Sequence, residues 1–207
     1  MRVHGRAKSN FAAQHINAAK YFADKIREIE QRYSSAEQPE VVAPQERNYY
    51  WVSTILLSVA SLEANIYDLF TDEYRGILVS LDQAEKQRIL ETLTKTKPIL
   101  DQYDIGMNHI IGQKLDSGKD PIQSVSDLIA LRNELTHYKS EWRDDAKISQ
   151  KLEARLKRKF KLNEFRCGSV FFPERCVSYE SARWAVKTSL EFMKDYSAKL
   201  GLPCLVA

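Results

Sequence analysis

Arg132, Asn133 and His137 lie within the seven-residue segment LRNELTH, Leu131 to His137, and their side chains are those that metal-independent phosphodiester chemistry requires. A guanidinium presents a planar fork of donors that matches phosphate oxygens. An imidazole exchanges protons near neutral pH. An amide held beside them orients either group, so charge developing on a phosphorus centre meets donors already in place. At about 100° per helical residue, Asn133 and His137 are neighbours one turn apart. Arg132 and His137 stand about 140° apart with Asn133 between them.

The helix that carries these residues is expected to open at Pro121, with Asp120 as N-cap and Gln123 at the third helical position, and to run to about Tyr138. On its wheel Ile122, Val125, Leu128 and Ile129 form an apolar arc, and Arg132 falls inside that arc. A charged group facing the interior needs a carboxylate, phosphate or carbonyl partner, supplied by the same subunit, another subunit or a ligand. The competing reading without chemistry is a helix-terminal cluster that binds internal carboxylates or backbone carbonyls.

LRNELTH resembles the Arg, four to six residues, His motif of the HEPN superfamily, including the Asn that commonly follows the Arg. The resemblance extends to the upstream segment SVASLEANIYDLF, where Ala60, Glu63 and Ile66 match a long helix with a small residue, a Glu and an apolar step. It implies an α-helical bundle that dimerises so that two copies of the motif meet in one cleft. Many members are metal-independent endoribonucleases of toxin-antitoxin, abortive-infection and CRISPR-linked systems. By that resemblance Arg132 stabilises phosphorane-like charge, His137 acts as general acid or base, and Asn133 orients the pair. The RNA 2′-hydroxyl is then the nucleophile and a 2′,3′-cyclic phosphate the product. Members silenced through an adenylylated tyrosine carry Tyr two residues after the His. Here Lys139 holds that place and Tyr138 is adjacent, which argues against that mode. Glu63 reads as an ion-pair partner for Arg132 rather than a proton carrier.

The elements around the motif read as helices. Only 7 glycines and 6 prolines occur in 207 residues, about half the usual share, too few for a many-stranded sandwich or barrel. A first helix is predicted from Ser9 or Asn10 to about Tyr33, with Phe11, His15, Ala18, Phe22, Ile26, Ile29 and Tyr33 as its buried face. Residues 34–44 carry two prolines without period and read as a linker. From Gln45 to Phe70, Trp51, Ile55, Val59, Leu62, Ile66 and Leu69 make one stripe, and Leu57, Ala60, Ala64 and Tyr67 add apolar surface beside it. Asp82 and Glu85 form a capping-box pattern for a shorter helix ending before Pro98, and a broken helical stretch follows to Ile111. A charged helical segment covers 144–160. Residues 165–177 read as a short hairpin, an irregular excursion or an insertion. Ser178 caps a last helix to about Leu200, with Ala182, Ala185, Val186, Leu190 and Met193 inward and Gly201 closing it.

The chain is therefore expected to be a single all-α, HEPN-like domain over 1–207. Its net charge of +3 is too small to demand a nucleic-acid or membrane partner, so any RNA footprint must be local. RLKRKFK, Arg155 to Lys161, packs five basic residues into seven; Lys157 and Arg158 there, with Lys139 and Arg143 nearer the motif, are the candidate RNA contacts. A solvated helix face is the bland alternative for the run. No apolar stretch is long enough to span a bilayer and no secretory leader is evident, which predicts a cytoplasmic protein. Cys167, Cys176 and Cys204 are widely spaced and read as reduced thiols, with no metal and no cofactor expected. His15 and His109 read as packed or interface histidines. Trp51 and Trp184 read as core, and Trp142 as a residue that could stack a base. The expected partners are a second copy of the chain, RNA, and an antitoxin or regulatory protein. The alternative is a non-catalytic dimeric module that binds RNA, nucleotide or a protein partner, and a plain helical adaptor stands behind both.

Overall fold

A computed structural model describes residues 9–34, 45–72, 77–78, 81–94, 98–137, 147–163, 170–204 and 206. Among them lie seven α-helices and one short π-turn, with no strand. The helices are α1 (Phe11–Ser34), α2 (Gln45–Thr71), α3 (Gln83–Thr94), α4 (Ile99–Ile111), α5 (Ile122–Thr136), α6 (Lys147–Leu156) and α7 (Tyr179–Lys199). The π-turn is Phe171–Arg175. No helix among the described residues is long and apolar enough to cross a membrane.

The α2 helix is the axis of the molecule, packing against α1, α4, α5 and α7. Its expected stripe is buried throughout, from Trp51 and Ile55 to Ile66 and Leu69. Small polar residues serve its other faces. The Ser61 hydroxyl donates to the Ser58 carbonyl (2.7 Å), and Ser189 of α7 donates to the same oxygen (2.9 Å), so close helix approach leaves these hydroxyls bonded. The Trp51 indole N–H donates to the Ser181 hydroxyl (2.7 Å), which ties α2 to the first turn of α7.

Local signals set the helix ends. Asn10 Oδ1 accepts the Ala13 amide (2.9 Å), Asp82 Oδ1 accepts the Glu85 amide (2.9 Å), and Ser178 and Ser181 form a reciprocal capping box. Gly201 follows α7 at φ 64°, a left-handed conformation that costs glycine little.

Five expectations need correction. The buried face of α1 is Ala12, Ile16, Ala19, Ala23, Ile26 and Ile29, whereas Phe11 is exposed and His15, Ala18, Phe22 and Tyr33 are only half-buried. Alanines let α1 lie close along α2, and the larger rings are turned to the flank, where Phe22 stacks on Tyr50 (5.7 Å between centroids). Residues 99–111 form one unbroken helix, with Gly106 inside it under the Tyr196 hydroxyl, where a side chain would collide. Tyr67 is 62% exposed and is not part of the apolar surface of α2. The described part of 165–177 is irregular and not a hairpin: Phe171 and Phe172 are buried in a kinked turn, Phe172 with extended backbone (φ −112°, ψ 134°), that the Cys176 amide closes onto the Phe171 carbonyl (3.1 Å). Asn163 fixes that turn, its backbone N–H reaching the Arg175 carbonyl (2.9 Å) and its amide the Glu174 carbonyl (3.1 Å). Fifth, α5 opens at Ile122 with Pro121, not Asp120, as its N-cap; Asp120 stands one residue earlier and accepts from the Ser124 backbone N–H (3.1 Å) and hydroxyl (2.6 Å), without the Gln123 side chain. Most of the expected linker (35–44), the start of the charged segment (144–146) and residues 165–169 lie outside the described residues.

Candidate functional site

The α5 helix ends one turn after Arg132. Thr136 is its last residue, its hydroxyl folding back toward the carbonyls of Arg132 and Asn133 (both 3.1 Å), and His137 leaves helical geometry as the C-cap (φ −119°, ψ 24°) with its N–H on the Asn133 carbonyl (2.9 Å). A cap position points a side chain away from the rod, and His137 is exposed. Asn133 is exposed as well.

Arg132 departs from the expected burial. The core face of α5 is Ile122, Val125, Leu128 and Leu131, with Ile129 half-buried. Leu131 takes the inward place, which rotates Arg132 to the border of the packed face. Its side chain is 24% exposed, and Nη2 donates to Glu63 Oε1 of α2 at 2.9 Å, the Glu63 side chain being 47% exposed. Nε of Arg132 is buried without a hydrogen-bond acceptor among the described residues. The guanidinium is thus rooted in the α2–α5 crossing while its outer edge meets solvent.

Tyr67, one turn after Glu63 on α2, is a residue the sequence reading placed elsewhere. It is exposed, and the i, i+4 spacing makes it a helix-surface neighbour of the residue that holds Arg132, with about 5–6 Å between Cβ atoms. Nothing in the apolar periodicity of α2 separates it from the core set; only the orientation of the neighbouring helices does.

Four of the five basic residues of the run fall into two pairs. Arg155 Nε donates to Asp127 Oδ1 (2.8 Å), and Lys159 lies near Asp127 (3.7 Å) and Asp120 (3.7 Å) with a hydrogen bond to the Ser124 hydroxyl (3.0 Å). The Ser124 hydroxyl and the Lys159 ammonium hold the Asp120 carboxyl below its ordinary range. Lys157 and Arg158 face solvent. Lys139 and Arg143, with Trp142 and Cys167, lie outside the described residues.

The remaining polar candidates sort simply. His109 is exposed on α4 and is not packed among the described residues; His15 is half-buried with its ring near Phe11 (5.9 Å). Trp51 is core, and Trp184 is half-buried against Phe160 (5.3 Å). Cys176 is buried, and burial pushes its thiol far above the ordinary range, while Cys204 is half-buried. Among the described residues no three His, Cys, Asp or Glu side chains gather as a metal site.

No family model, curated protein or solved structure matches the chain. What defines the site is its own geometry: an all-α frame that presents a rooted arginine, an amide and an imidazole at the open end of one helix.

Proposed function

We propose that the chain is a HEPN-type, metal-independent endoribonuclease acting as a homodimer. The observation that carries this reading is the accessible polar end of α5, where Asn133 and His137 are exposed and Arg132 meets solvent beside an exposed carboxylate. Phosphate can replace or join Glu63 on the guanidinium fork without the core being opened. In the proposed step the RNA 2′-hydroxyl attacks the adjacent phosphorus, and the bond from phosphorus to the 5′-oxygen breaks. A 2′,3′-cyclic phosphate and a free 5′-hydroxyl result. One His137 takes the hydroxyl proton and the partner subunit's His137 supplies a proton to the departing oxygen. Arg132 meets the charge that builds on the phosphorane oxygens. Tyr67 offers a face for a neighbouring base, and Lys157 and Arg158 offer charge for the strand. A cleft this open calls for control, which is the place of an antitoxin or regulatory protein in this reading.

A second reading has its own support. The Glu63 carboxylate already satisfies part of the Arg132 fork, as expected of a dimeric module that binds RNA, nucleotide or protein without cleaving. Incubating the purified protein with mixed RNA in EDTA decides between them, with Arg132→Ala and His137→Ala as controls. Loss of cleavage in both variants is the expected result. Cleavage that persists in both removes the catalytic assignment, and RNA binding without cleavage by the parent favours the module. Light scattering tests the dimer.

A further inference from the structure

A second site lies where the first turns of α2, the last turn of α5 and the π-turn meet. They border a half-open pocket of about 390 Å³. Its walls are apolar, formed mainly by Trp51, Val52, Leu135 and Phe172. At its polar side stand Arg47, Asn48 and Glu174.

The polar side is built rather than incidental. Arg47 is 2% exposed, a burial that a guanidinium tolerates only when neighbouring groups hold it. Its Nη1 reaches Asn163 Oδ1 (3.4 Å) and Glu30 Oε1 (3.8 Å). The Asn163 amide in turn donates to the Glu174 carbonyl (3.1 Å), so one asparagine fixes both the cation and the turn that carries the carboxylate.

Size and charge define what fits. The volume is at the small end of small-molecule sites, roughly 300–1,000 Å³, which suits one fused ring system and excludes a dinucleotide. Apolar walls favour a flat, largely apolar body. In the lining the one guanidinium of Arg47 is matched by the one carboxylate of Glu174, so the polar side carries no net charge, and a neutral edge that both donates and accepts finds partners in Arg47, Asn48 and Glu174. We propose that this cavity binds a neutral purine-sized heterocycle, a free nucleobase or nucleoside, with its ring against the apolar walls and its polar edge toward Arg47, Asn48 and Glu174. The site stands apart from the nuclease reading and neither requires nor follows from it.

Titration calorimetry of the full chain with adenosine, AMP and indole tests the assignment. Adenosine should bind, AMP at least about 5-fold more weakly because its phosphate adds negative charge beside the Glu174 carboxylate, and indole more weakly still because it has no acceptor. Asn48→Ala and Glu174→Gln should each lower adenosine affinity about 2- to 10-fold, the worth of one hydrogen bond. Asn48 is exposed, so its variant should keep the parent's circular dichroism and melting temperature in the absence of ligand. Val52→Trp, which fills the cavity, should abolish binding. Absence of adenosine binding at millimolar concentration overturns the proposal. So does equal or tighter binding of AMP or indole, or adenosine affinity unchanged in a folded Asn48→Ala protein.

Discussion

Arg132 of α5 and Glu63 of α2 are joined at 2.9 Å although 69 residues separate them in the chain. The contact fixes the direction of the guanidinium, and in the proposed function it holds a carboxylate in the place of a phosphate oxygen. With side chains 24% and 47% exposed, the pair is screened by water and contributes on the order of 1 kcal/mol or less to stability.

Glu63→Gln should therefore leave the urea midpoint nearly unchanged while strengthening RNA binding, since one cation no longer faces a competing anion. Fluorescence anisotropy across a salt series measures it. The slope of log affinity against log salt should steepen by up to about 0.7, the contribution of one added phosphate contact on a single strand. Weaker binding in this variant would show that Glu63 positions Arg132 for RNA rather than competing with it.

The basic run should split by partner. Substituting Lys157 and Arg158 together by Ala should flatten the same salt slope by roughly 1.4, two contacts' worth. Arg155→Ala acts on stability instead, because Asp127, whose side chain is only 9% exposed, loses its closest cation. The expected cost is about 1–3 kcal/mol by urea unfolding, below the figure for a fully buried pair because Arg155 is 43% exposed.

Gly106→Ala should destabilise the protein by about 1–3 kcal/mol through overpacking, although alanine is the better helix former. The added methyl meets the Tyr196 hydroxyl and Ile77. Tyr196→Phe removes the colliding oxygen, so the double variant should recover part of the loss. Additive losses in a double-mutant cycle would place the strain elsewhere.

Alkaline pH should unfold the protein through its buried phenols. Tyr103 lies between the Leu62 carbonyl, to which its hydroxyl donates (2.9 Å), and the Asn65 amide, from which it accepts (3.1 Å). Tyr196 donates to the Tyr103 carbonyl (2.8 Å). Burial raises both phenols above their ordinary range. Below about pH 10 both states keep the proton and stability is unaffected. Above it the unfolded chain ionises first and binds fewer protons than the native state, so stability falls as pH rises. Tyr103→Phe should cost about 1–3 kcal/mol at neutral pH, leaving the Asn65 amide short of an acceptor. The same variant should make the decline between pH 10 and 11.5 shallower in urea titrations. An unchanged decline would assign the alkaline loss to other groups.

Thiol labelling should follow burial. In a Cys167→Ser background, Cys204 should react with an aromatic disulfide reagent in the native state. Cys176, buried and held protonated, should react only at the rate of unfolding. Rapid native labelling of both would show that the core around Phe171 and Cys176 opens readily.

The helical class and most helix ends were legible because they are written locally. Asp82 with Glu85 and Ser178 with Ser181 each place a cap acceptor three residues from its donor. The inward face of α1 was not, since its Phe11 and Ala12 stripes share one period and only the closeness of α2 selects the alanines. The adjacency of Asn133 and His137 follows from helix spacing, whereas the placement of Arg132 turned on Leu131 occupying the core. Tyr67 and the cavity beside Arg47 were hidden for a shared reason. The exposure of the one and the walls of the other are created by segments far apart in sequence.

The bond from the Trp51 indole to Ser181 spans 130 residues and carries one more consequence. The flank of α2 that carries Trp51 and Ser58 is covered by α7, through Ser181 and Ser189, and stays open until that helix docks. A folding intermediate in which α7 has not yet docked therefore shows a greasy seam to its surroundings, the kind of surface that chaperones and proteases recognise.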